Sequence, residues 1–114
     1  MRVENMTNRD VTKAFFKATR DIIAENTSPH YSTLAMNGIR TQLCKEFKFL
    51  KSIHIKGKSV EVDNSINSVG GRELKRFFIK VVNLMGPNYL KMLLAQRLGQ
   101  KELFYLETLG LKFG

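Results

Sequence analysis

The segment SIHIKGKSVEVD, residues 52–63, constrains the fold more strongly than any other part of the sequence. On both sides of Gly57-Lys58 a β-branched apolar residue alternates with a polar one. A loop at Gly57-Lys58 predicts an antiparallel hairpin in which Ile55 faces Val60 and Ile53 faces Val62, all four on one face. Because a lone hairpin is only marginally stable in water, this apolar face must pack against other elements.

The flanking sequence has the apolar spacing of helices that can cover the hairpin. Apolar residues recur every three or four positions from Arg9 to about Glu25, which predicts a helix capped at Thr7 or Asn8. After a loop at 64–70, the same spacing predicts three more helices, each followed by a glycine, at 71–85, 88–98 and 101–109. We therefore expect one domain over 1–114, mainly helical α+β with four to five helices and one hairpin, in which residues 1–8 are disordered.

The segment between the first helix and the hairpin allows two interpretations. Ser28 and Pro29 predict a helix start, and apolar residues continue at helical spacing as far as Leu50. This rhythm favours one continuous helix over 29–49. Asn37-Gly38 is also a strong turn dipeptide, so the same segment could form two short helices, 29–36 and 39–49.

Composition limits the class of protein. A chain of 114 residues with 43% hydrophobic and 25% charged residues is long enough to bury a core without disulfide or metal. The single cysteine, Cys44, and the lack of an apolar leader or membrane-length segment predict a cytoplasmic protein that does not enter membranes. The formal net charge of +9 favours a polyanionic partner, of which nucleic acid is the commonest.

Eight of the nine excess positive charges fall in two short stretches. Residues 40–58 contain six cations and Glu46 as the only acid, and residues 72–80 contain four cations and Glu73 as the only acid. We expect these cations to contact the phosphate backbone of DNA or RNA. They are Arg40, Lys45, Lys48, Lys51, Lys56, Lys58, Arg72, Lys75, Arg76 and Lys80.

The sequence offers little for catalysis. His30, His54 and Cys44 lie in three different predicted elements, and none belongs to a cluster with metal-ligand spacing. His54 faces Glu61 across the predicted hairpin, where a cross-strand ion pair is the favoured interpretation. We therefore expect no enzyme activity, no metal and no cofactor.

Two hypotheses from different classes remain. In a winged-helix-like module, 39–49 would be a recognition helix presenting Arg40, Thr41, Lys45 and Lys48, with the hairpin tip as the wing. In an α+β interaction module, helix 29–49 would be continuous, and the protein would act through protein–protein contacts as a regulatory or adaptor protein. Apolar residues over 90–109 predict that the C-terminal helices form either a homodimer interface or a surface for another partner.

Overall fold

The structure, a computed structural model, describes residues 6–56, 59–85 and 87–111. These residues form five α-helices and one two-stranded antiparallel sheet, which confirms the mainly helical α+β class. The helices are α1 (Asn8–Asn26), α2 (Pro29–Leu43), α3 (Gly71–Leu84), α4 (Pro87–Arg97) and α5 (Gln100–Leu109). The strands are β1 (Ile53–Lys56) and β2 (Ser59–Val62), and two short 3₁₀ helices, Lys48–Ser52 and Asn64–Ser68, flank the hairpin.

The hairpin has the predicted register. Ile53 pairs with Val62, Ile55 pairs with Val60, and all four side chains are buried. The Gly57-Lys58 loop itself lies outside the described residues. Strand β2 packs against α1, where Arg9 donates a 2.7 Å hydrogen bond from Nε to the carbonyl oxygen of Val62. The alternating pattern therefore specified which face of the hairpin enters the core.

Helix α1 is the central element of the core. It begins with a capping box in which the Thr7 hydroxyl accepts a hydrogen bond from the Asp10 N–H, so Thr7, one of the two predicted candidates, is the N-cap. Its buried face meets α3 through an aromatic cluster, with ring centroids 4.6 Å apart for Phe15 and Phe78 and 5.6 Å apart for Phe16 and Phe77. Aromatic rings therefore join α1 and α3 within the apolar core.

Helix α2 begins at Pro29, as predicted, but it ends earlier than predicted. It passes through Asn37-Gly38 without a break and ends at Leu43, six residues before the expected end at Phe49. Backbone N–H groups of Glu46 and Phe47 bond to the Leu43 carbonyl, and the chain then enters the first 3₁₀ helix. The separate recognition helix over 39–49 is thus not formed, and this part of the winged-helix hypothesis is wrong.

The remaining elements lie close to their predicted positions. Helices α3, α4 and α5 begin and end within one residue of the predicted limits, whereas the expected loop at 64–70 contains the second 3₁₀ helix. Residues 1–5 of the segment expected to be disordered lie outside the described residues, but Met6 packs on the core and Thr7 caps α1. None of the described helices has the length and apolar character needed to cross a membrane.

The phenol of Tyr105 ties α5 to the start of α1. Its hydroxyl donates to Oδ1 of Asn8, whose side-chain amide donates in turn to the carbonyl oxygens of Ile66 and Val69. Partial burial, and to a smaller extent the nearby Asp10 carboxylate, raise the pKa of Tyr105 above its usual value. Asn8 therefore links three elements, so the first turn of α1 is an integral part of the fold.

Candidate nucleic-acid interface

The two basic stretches of the sequence meet at Glu46. The turn that follows α2 presents this residue, and buried Phe47 holds the turn against α3 with its ring centroid 5.4 Å from that of Phe77. The Glu46 carboxylate thereby faces the solvent side of α3. One oxygen lies 3.0 Å from Nη2 of Arg76 and the other 3.3 Å from Nζ of Lys80.

Arg76 makes a second contact with the same turn. Its guanidinium carbon lies 5.7 Å from the centroid of the Phe47 ring, within the range of a cation–π interaction. Arg76 and Lys80 nonetheless remain more than half exposed, at 60% and 51% of their side-chain area. Both cations are therefore held in position while they stay accessible to a ligand in solution.

Three further exposed cations lie within four residues of Glu46 or Arg76 in the sequence. Lys45 and Lys48 flank Glu46 in sequence, and Arg72 lies one helical turn before Arg76 on the same side of α3. We define the basic patch as these three residues together with Arg76 and Lys80. The patch holds five cations and Glu46 as the carboxylate that bridges its two halves. Lys51, in the adjoining 3₁₀ helix, is exposed as well.

Arg40 has a structural role that the sequence did not reveal. It is half-buried, and its Nε donates hydrogen bonds of 3.1 Å to the carbonyl oxygen of Leu50 and 2.7 Å to that of Ile53. These bonds fasten α2 to the entry of β1. The guanidinium edge that makes them is directed at the backbone, so Arg40 does not join the basic patch as a free surface cation.

Lys75 and the hairpin tip complete the list of predicted contacts. Lys75 is half-buried and lies against Gly110, where an added Cβ would meet its Nζ at 2.8 Å. It therefore faces the end of α5, where a cation complements the helix dipole, and not Glu46. The side chain of Lys56 and all of Lys58 lie outside the described residues.

The residues considered for catalysis are not assembled into a site. His54 faces Glu61 in the register, but its Nε2 lies 4.0 Å from Oδ2 of Asp63. The side chains of His54 and Asp63 are 43% and 65% exposed. The Cys44 thiol donates to the carbonyl oxygen of Thr41. Within the described ranges, His, Cys, Asp and Glu residues form no group of three or more that could hold a metal ion.

A groove between α1 and the α4–α5 junction was not anticipated from the sequence. It has a volume of about 280 Å³, is open to solvent, and is lined in part by Lys17, Asp21, Arg97 and Glu102. Arg97 also pairs with Glu25 beside it. Because acids and bases alternate around this groove, it has none of the one-sided positive charge found in the basic patch.

Comparison with known proteins finds no matching family model, no similar curated protein and no similar solved structure.

Proposed function

We propose that the protein binds nucleic acid through the phosphate backbone, with the basic patch as the contact surface, and that it is not an enzyme. The observation that carries the proposal is the Glu46 bridge, because it joins two cationic stretches that are about thirty residues apart in sequence. A carboxylate held by both a guanidinium and an ammonium group occupies the place that a phosphate oxygen would take. We infer a cytoplasmic location from the single cysteine.

The arrangement favours phosphate contacts over base reading. The patch lies on a turn and on one exposed face of α3, and no projecting recognition helix is found among the described residues. Phosphate contacts position a protein on DNA or RNA without specifying sequence. We therefore expect similar affinity for unrelated sequences of the same length.

Salt dependence of binding tests the proposal. On duplex DNA, log K against log salt has a slope of about −0.9 per neutralised phosphate, so five contacts predict a slope near −4.5. Replacing both Lys45 and Lys48 with Gln should weaken binding to all sequences alike and flatten the slope by up to about two units. Fluorescence anisotropy with labelled DNA and RNA duplexes of matched sequence gives both quantities.

The matched control is the Lys13→Gln, Lys17→Gln double variant. It removes the same charge from exposed positions of α1, which lie outside both basic stretches. We expect it to change the slope much less than the first pair does. Equal effects of the two double variants would show that attraction is only diffuse net charge and would favour the interaction-module alternative. A lack of binding at micromolar protein and about 50 mM salt would refute the proposal.

A further inference from the structure

The groove between α1 and the α4–α5 junction has room for a ligand because several residues that line it are small. Ala14 and Ala18 lie one turn apart on α1, and Gly99 lines the groove from the start of α5. Ala18 and Leu98 are buried, so the inner part of the groove is apolar. Its volume of about 280 Å³ lies just below the range of about 300–1,000 Å³ that holds drug-sized ligands, so the groove fits a small molecule.

Two of the four charged side chains that line the groove have a partner of opposite charge beside it. Asp21 accepts a 2.7 Å hydrogen bond from Nη1 of Arg20, whose side chain is only 6% exposed. Arg97 pairs with Glu25. Each of these pairs joins one positive and one negative charge, so neither leaves a charge for a ligand to neutralise.

The other two charged side chains, Lys17 and Glu102, line the same groove without pairing. Within the part of the chain that the structure describes, neither side chain makes a hydrogen bond or an ion pair. Lys17 is exposed on α1, whereas Glu102 is half-buried and folds back over Gly99, where an added Cβ would meet its Oε2 at 2.7 Å. The dipole at the start of α5 favours a carboxylate in this place. The groove therefore offers one unpaired ammonium group and one unpaired carboxylate beside an apolar surface.

We propose that this groove binds a free α-amino acid with a small apolar side chain. The carboxylate of the ligand pairs with Lys17, its ammonium group pairs with Glu102, and its side chain lies on Ala14 and Ala18. A zwitterion satisfies both charges, whereas a simple anion is repelled by Glu102 and a simple cation is repelled by Lys17. The inference does not depend on nucleic-acid binding, because no residue of the basic patch lines the groove.

Titration of the isotope-labelled full chain with L-valine, followed by the amide signals in NMR spectra, tests the site. We expect a Kd of about 1 mM, because the ligand is small and the groove is open to solvent. The shifted signals should be confined to residues 14–21 and 97–102, which contain the lining of the groove. Isovalerate lacks the ammonium group of valine and isobutylamine lacks its carboxylate, so each should bind at least about tenfold more weakly than valine.

Two variants assign the ends of the ligand to the two unpaired charges. Lys17→Gln should weaken valine binding about tenfold without weakening the binding of isobutylamine, which has no carboxylate to lose a partner. Glu102→Gln should weaken valine binding by a similar factor without weakening the binding of isovalerate. The matched controls are Lys13→Gln and Glu107→Gln, which change the net charge by the same amounts at exposed positions of α1 and α5 outside the groove. Both controls should leave valine binding unchanged.

A third variant, Ala14→Leu, fills the groove without changing its charges. It should abolish valine binding, and circular dichroism should show retained helix, because Ala14 is only half-buried. Equal binding of valine and isovalerate would overturn the proposal, since it would show an anion attracted by the net charge of +9. Unchanged spectra up to about 20 mM valine would overturn it as well, because a ligand with a Kd of about 1 mM would then saturate the site.

Discussion

At the scale of single residues, Glu46 has two opposing effects on the basic patch. Its carboxylate holds Arg76 and Lys80 in place, but it also occupies the hydrogen-bond donors that a phosphate would use. Glu46→Gln should therefore raise affinity for a nucleic-acid duplex by about two- to fivefold, since breaking an exposed ion pair costs up to about 1 kcal/mol. Anisotropy titrations at low salt measure this gain.

The Glu25→Gln variant is the control for that gain. It also removes one carboxylate from a surface ion pair, but its partner is Arg97, which is not part of the basic patch. The net charge rises by the same amount in both variants, so diffuse attraction predicts equal gains. A larger gain for Glu46→Gln locates the phosphate contacts at Arg76 and Lys80, whereas equal gains would contradict that location.

At the scale of elements, the unbroken course of α2 determines what a substitution at Gly38 does. Gly38 is helical and its Cβ direction is open, so Gly38→Ala should stabilise the protein by about 0.5–1 kcal/mol in urea denaturation at low protein concentration. A turn at Asn37-Gly38 would give the opposite sign if the glycine had a positive φ. Loss of stability in Gly38→Ala would thus contradict the continuous helix.

Gly110 is the matched comparison within the same chain. It follows α5 with φ of +110°, and an added Cβ would also press on the Lys75 side chain. Gly110→Ala should therefore destabilise the protein by about 1–2 kcal/mol, the cost of a left-handed conformation in an L-residue. The same substitution should have opposite signs at the two glycines.

Sequence patterns predicted elements well where one periodicity applied throughout. The hairpin register followed from strict alternation, because shifting it by one residue would expose Ile53 and Ile55. The end of α2 was missed because Phe47 and Leu50 keep the three-four rhythm although they belong to a turn and a 3₁₀ helix. Both are buried, so apolar spacing alone could not reveal the change of backbone.

At the scale of the whole molecule, the charge balance was readable from the sequence but its distribution was not. Counting charges identified the two basic stretches, and Glu46 stood out as the acid within the first of them. Its contact with α3 depends on the packing of Phe47, which no local pattern specifies. The inward course of Arg40 likewise depends on where β1 begins relative to α2.

The net charge of +9 also means that salt has opposite effects on the stability of the free protein and on the extra stability given by a bound duplex. Salt alone should raise Tm, because it screens self-repulsion within the compact chain. A short duplex at about 100 times its Kd should add about 2.7 kcal/mol of stability at low salt, and this increment should disappear at high salt as phosphate contacts weaken. Differential scanning calorimetry with and without duplex separates the two effects.

The Lys45→Gln, Lys48→Gln variant decides between local contacts and net charge in the same measurement. With two fewer positive charges it has less self-repulsion, so its Tm without duplex should rise less with salt than that of the unmodified protein. At a fixed duplex concentration, its weaker binding should also reduce the ligand-induced shift. The Lys13→Gln, Lys17→Gln variant should show the same smaller rise of Tm with salt, but it should keep the ligand-induced shift. A loss of the ligand-induced shift in both variants would contradict a localised phosphate surface.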